Sequence, residues 1–85
     1  MKLQIFAVRD RKTDQFANPM FLISKGHAVR HFADEINRKD ENNILWKHPE
    51  DFELYELGSY NTETGIFDTG TPTSVALAES LMIKA

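Results

Sequence analysis

One apolar stripe restricts the fold more than any other feature of this chain. In His27–Arg38 the residues Ala28, Val29, Phe32, Ala33 and Ile36 recur at spacings of three and four. That period lines them up along one face of an α-helix. The flanking segments read as strands, so the stripe must find its covering surface on a sheet. The fold class expected is α+β, an antiparallel sheet with one helix packed on a face.

The strand segments are short. Met1–Arg9 alternates, with Leu3, Ile5 and Ala7 against Lys2, Gln4 and Phe6, the two-residue period of a pleated surface. Asp10–Pro19 is polar and reads as a loop; Met20–Ser24 is a short apolar run and a second strand. Ser24 or Gly26 can cap the helix that follows. Lys39–Asn43 ends that helix, and Asn43–Asp51 is irregular, with Pro49, Glu50 and Asp51 placed as in a first helical turn. Phe52–Asn61 returns to a strand pattern. Asn61–Gly65 suits a hairpin loop closed by a left-handed glycine, with Ile66–Thr69 as the return strand. Gly70–Thr73 reads as a break; in Ser74–Met82 the residues Val75, Ala78, Leu81 and Met82 suggest a helical turn or two, with a strand through Val75–Ala78 as the close alternative.

The order is β-β-α-β-β plus a C-terminal segment, in a single domain spanning residues 1–85. Both sides of the strands are apolar: Leu3 and Ile5 against Phe6 and Val8, Phe21 and Ile23 against Met20 and Leu22. One helix covers one face. The other needs the C-terminal segment or another subunit, which points to a homodimer or higher homo-oligomer. A chain this short also has a thin core.

There is no cysteine, so disulfides and thiolate metal sites are excluded. No apolar run reaches the roughly 20 residues of a membrane span, and the N-terminus reads as a strand and not a signal peptide. No membrane association is expected. Net charge is −3, unevenly spread: residues 1–47 hold nine of the ten Lys and Arg and six of the thirteen Asp and Glu. The first half is therefore basic and the second acidic, a pattern that can mark a basic face.

Few residues suggest chemistry. His27, His31 and Glu35 lie four apart along the helix, a metal-ligand spacing, but without the internal acid of a metalloprotease helix they read as a solvated face. His48 beside Glu50 and Asp51 lacks a placed nucleophile and reads as a capped turn. The glycines form no phosphate loop between strand and helix. No catalytic residue, metal ligand or cofactor is expected, and the chain does not read as an enzyme. Aromatic side chains flanked by cations bind single strands by stacking. On that ground the nucleic-acid-binding candidates are Phe6, Phe16, Trp46 and Tyr60, with Arg9, Arg11, Lys12, Lys25, Arg30 and Arg38.

Three segments, MKLQIFAVRDRKTDQFANPMF, GHAVRHFADEIN and HPEDFELYELGSYNTETG, together resemble the small nonstructural protein of gokushovirus-type microviruses, phages with circular single-stranded DNA. The shared pattern is KxxIFxVRD, then AxRxFxD with Arg30 at its basic position, then HPEDFxLxxLGxYxxxTG. It runs from Met1 to about Asp68. The resemblance implies a non-capsid protein of the infected bacterial cytoplasm, assisting DNA replication or single-stranded DNA synthesis. It supplies no catalytic residues. Single-stranded DNA is the expected partner. The alternative is a protein-interaction module that binds the replication initiator, a host replication factor or the assembling capsid.

Overall fold

A computed structural model describes residues 1–83 of the chain. Its centre is β1 (Lys2–Asp10), paired antiparallel with β4 (Phe52–Asn61) along its whole length. The other edge of β1 is shared by two short strands: β3 (Met20–Leu22) lies against Gln4–Phe6, and β2 (Gln15–Phe16) against Arg9 and Asp10. β5 (Phe67–Leu77) pairs antiparallel with the far side of β4. The result is a five-stranded antiparallel sheet with helices, the α+β class that the periodicities imply.

Two segments differ from the sequence reading. Asp10–Pro19 is not wholly a loop. Asp14 takes a left-handed φ of 60°, and the Asp10 carboxylate accepts the backbone N–H groups of Lys12 and Thr13 at 3.0 and 3.4 Å. This tight turn folds Gln15–Phe16 back onto β1. Gly70–Thr73 is not a break either, because β5 runs through it. Between the pairs Glu56↔Thr73 and Gly58↔Thr69, β4 spends one residue and β5 three. Pro72 falls in this excursion on an edge strand, where its missing N–H removes no ladder bond. The hairpin at Asn61–Gly65 forms as expected, with Gly65 at φ 73°.

The helix α1 spans Lys25–Ile36, capped by Ser24, whose Oγ accepts the His27 N–H at 3.2 Å. Its stripe performs as the spacing requires: Ala28, Phe32 and Ile36 are buried against Phe6, Phe52, Leu54 and Ala78. The stretch after α1 is more ordered than its irregular sequence suggests. It forms α2 (Ile44–Lys47) and a single 3-10 turn at Pro49–Asp51. The C-terminal segment takes both conformations open to it, continuing β5 to Leu77 and then forming α3 (Ala78–Leu81). Ala78 joins the core beneath α1, so this segment thickens the helical layer and leaves the opposite sheet face open.

Asn43 is the buried polar side chain that ties this layer together. Its Nδ2 donates to the carbonyls of Glu35 and Arg38 at 2.8 and 2.9 Å, and its Oδ1 accepts the Leu45 N–H at 3.2 Å. One side chain thus holds the last turn of α1 and a residue just beyond it, and caps the start of α2. Asn43→Ala strands two carbonyls and an N–H, so a loss of about 2–3 kcal/mol is expected. Urea denaturation measures it, and a loss below about 0.5 kcal/mol would show that water replaces these bonds freely.

Candidate nucleic-acid interface

Directly paired residues of an antiparallel ladder share a face, so the register sorts every side chain. Phe6 and Val8 of β1, opposite Glu56 and Leu54, point into the helical layer. Leu3, Ile5, Ala7 and Arg9 point the other way, opposite Tyr60, Gly58, Tyr55 and Glu53. Phe21 pairs with Ile5, Phe16 with Arg9, and Phe67 with Tyr60. Five aromatic rings, Phe16, Phe21, Tyr55, Tyr60 and Phe67, therefore stand on the sheet face that carries no helix. Phe16, Phe21 and Phe67 remain 44%, 42% and 57% exposed, unlike aromatic residues of a finished core.

A bulge makes this gathering possible. Ile5 pairs with Gly58 and Phe6 with Glu56, which leaves Leu57 as an extra residue on β4. An extra residue reverses the alternation beyond it. Tyr55 and Tyr60 are five apart and would lie on opposite faces of a regular strand; the bulge puts both on the open face.

Three of the ring contacts are edge to face, and Tyr60 lies tilted against Phe67. Phe16 and Tyr55 have centroids 5.4 Å apart, while Phe21 lies 6.0 Å from Tyr60 and 6.2 Å from Phe67, with Tyr60 and Phe67 4.7 Å apart. Arg9 is the cation among them. Its guanidinium sits 5.9 Å from the Phe16 centroid, donates to the Tyr55 hydroxyl at 3.5 Å and pairs with Asp14. The Tyr55 hydroxyl in turn donates to Glu53 at 3.1 Å, and the Ser74 hydroxyl donates to the same carboxylate. This network holds the Tyr55 hydroxyl between Arg9 and Glu53.

The residues expected from sequence divide. Arg9, Phe16 and Tyr60 stand on the open face, and Arg11 and Lys12 are exposed in the turn that continues from Arg9. Phe6 is displaced from the expected set: it has no exposed surface and lies at the centre of the core, where no base can reach it. Trp46 belongs to α2 and is half-buried in the helical layer. Lys25 and Arg30 lie on α1, across the sheet from the aromatic rings, and Lys25 pairs with Glu56 at 3.6 Å. Arg38, just beyond α1, is bound by Glu35 at 2.7 Å and Asp40 at 3.0 Å. Its hydrogen bond to Glu35 raises its own pKa and lowers that of the glutamate; the Asn42 N–H, then Arg38, lowers that of Asp40. The cations thus scatter, and the face is defined by rings.

Phe21, Tyr55 and Phe67 belong to the site but were not among the expected residues. Their signal is parity: each sits opposite an odd-numbered β1 residue or its partner, but only the register exposes that. Among the described residues, the grouping of His48, Glu50 and Asp51 brings donor atoms within 4.8 Å of one another. It lies at the 3-10 turn with His48 and Glu50 exposed, and no side chain caps that turn. His27, His31 and Glu35 form no such group among the described residues.

The model of a family described as phage ORF5 protein matches residues 3–81. Protein ORF5 of Chlamydia phage 1 is 30% identical over 84 residues, covering 93% of this chain and 88% of that protein. No solved structure matches. The chain belongs to the phage ORF5 protein family, in accord with the resemblance its segments carry.

Proposed function

We propose that this phage ORF5 protein is a non-enzymatic accessory of viral DNA replication or single-stranded DNA synthesis, acting in the infected host's cytoplasm by binding single-stranded DNA on its open sheet face. The observation that carries the reading is the set of five aromatic rings on one helix-free face, three of them exposed. Exposed rings on a sheet are how common single-strand binders hold bases, and every base offers a π-face, so binding tolerates any sequence. Arg9, Arg11 and Lys12 supply phosphate contacts at one end. No helix among the described residues is long and apolar enough to cross a membrane.

Few cations flank the rings, so stacking outweighs charge. With three phosphate contacts the log–log dependence of affinity on salt should have a slope of about −2. Fluorescence anisotropy with a labelled single-stranded oligonucleotide at several salt concentrations measures it. Arg11→Ala and Lys12→Ala should each flatten the slope by about 0.7, whereas Arg30→Ala, on the far side of the sheet, should leave it unchanged. A slope steeper than about −4 would mean that a basic surface dominates instead.

The same exposed rings favour a second reading, a protein contact in which another copy of the chain, or a replication or assembly protein of the phage, covers the face. Sedimentation equilibrium separates the two. A species of twice 9.8 kDa that dissociates on Phe21→Ser and shows no oligonucleotide binding at low salt would replace the DNA reading.

A further inference from the structure

We infer that the open face grips a single strand at two separate stacking stations and not on one continuous surface; the inference rests on the reading above. The rings fall into two groups. Phe16 and Tyr55 touch each other, and Phe21, Tyr60 and Phe67 touch one another. No ring contact joins the groups among the described residues. Tyr55 stands opposite Ala7 and Tyr60 opposite Leu3, four residues along β1, or about 13 Å at the rise of a strand. The row between them is Ile5, Gly58 and Thr69, with Phe21 at its β3 edge; the Phe21 ring turns toward Tyr60 and Phe67 and not toward the first group. Ile5 is 3% exposed, so neighbouring side chains cover it and it offers a base no surface of its own.

The stations differ in their cations. Arg9 serves the first alone, through Phe16 and Tyr55, where Asp14 pairs with it and Glu53 accepts a hydrogen bond from the Tyr55 hydroxyl. The second, at the hairpin end, has Glu63 in the hairpin, bound to the N-terminal amine at 2.8 Å; Asp68, paired with Ser59 opposite Gln4, faces the helical side. The first station holds a base and a phosphate; the second holds bases by stacking alone. A strand that reaches both spans about 13 Å, at most four steps at the stacked 3.4 Å repeat and fewer when stretched. The footprint is therefore three to five nucleotides, by the same estimate.

Anisotropy titrations of the full chain with oligothymidylates of two to ten nucleotides test this. Affinity should rise by about 5- to 100-fold between the dimer and the hexamer as the second station engages, then level off. Tyr55→Leu and Tyr60→Leu should each bring the hexamer down to about the wild-type dimer's affinity, while changing the dimer by less than about threefold, since one station remains. Phe16→Leu and Phe67→Leu repeat the test should either tyrosine variant fail to fold by circular dichroism. Affinity that climbs steadily through the decamer, or single variants that weaken dimer and hexamer equally, would overturn the two stations and leave the binding face intact. Absence of binding at every length would overturn the face itself.

Discussion

Gly58→Ala is expected to destabilise the protein by about 3–5 kcal/mol, the sum of a strained backbone and a steric overlap. Gly58 holds φ at 150°, a conformation that residues with a side chain rarely adopt. A Cβ there would stand 2.2 Å from the Asp68 carbonyl oxygen and 2.8 Å from the Thr69 Cα. Both are backbone atoms of β5, so no side chain can swing aside. β4 and β5 would have to part where the bulge already interrupts their pairing. For a domain of this length the melting temperature should fall by about 12–40 °C, at 4–8 °C per kcal/mol. Thermal denaturation followed by circular dichroism measures it. A fall of less than about 5 °C would mean that the bulge relaxes without Gly58. The loss reaches the function as well, because the bulge turns Tyr60 onto the face that holds Tyr55.

The dependence of that face on one extra residue explains what the sequence could reveal. The helix was legible because Ala28, Phe32 and Ile36 repeat at a local spacing, and Ser24 offers a local cap; both signals lie within twelve residues. The strand at Phe52–Asn61 was legible for the same reason. Sidedness was not. β1 is apolar on both parities, and only its pairing with β4, Val8 opposite Leu54, decides that Phe6 goes under the helix and Ile5 away from it. That pairing joins residues more than forty positions apart. The bulge at Leu57 then changes the parity again, and a pattern of alternation read along β4 has no mark for it beyond the glycine at 58. The pairing of β2 was hidden for a related reason: two residues carry no period, and the turn that aims them depends on Asp14 in a left-handed conformation. The candidate cations were chosen by charge, which a sequence displays plainly, but charge carries no information about faces. Arg9 and Arg30 look equivalent in the sequence and stand on opposite sides of the sheet.

The contrast between Phe6 and Phe16 puts this sidedness to a direct test. Both are phenylalanines near cations in the first twenty residues. Phe6 has no exposed surface and contributes to the core with Phe32, Ile36, Phe52 and Leu54; Phe16 is 44% exposed beside Arg9 and Tyr55. Phe6→Ala opens a cavity between the sheet and α1 that so small a core cannot refill, and should cost about 3–5 kcal/mol. At 0.05–0.15 kcal/mol per residue the whole fold is worth about 4–13 kcal/mol, so this variant should sit near the edge of folding. Phe16→Ala removes a ring from the surface and should cost less than about 1 kcal/mol. Its effect should appear in binding instead, as a loss of about 5- to 100-fold in affinity for a single-stranded oligonucleotide. Urea denaturation of both variants, with anisotropy on Phe16→Ala, reads the two quantities separately. If Phe16→Ala destabilises the fold as much as Phe6→Ala does, the ring is a structural member and the open face is not a binding surface. If Phe6→Ala loses less than about 1 kcal/mol, the helix does not pack on that side of the sheet, and the sorting of faces fails with it.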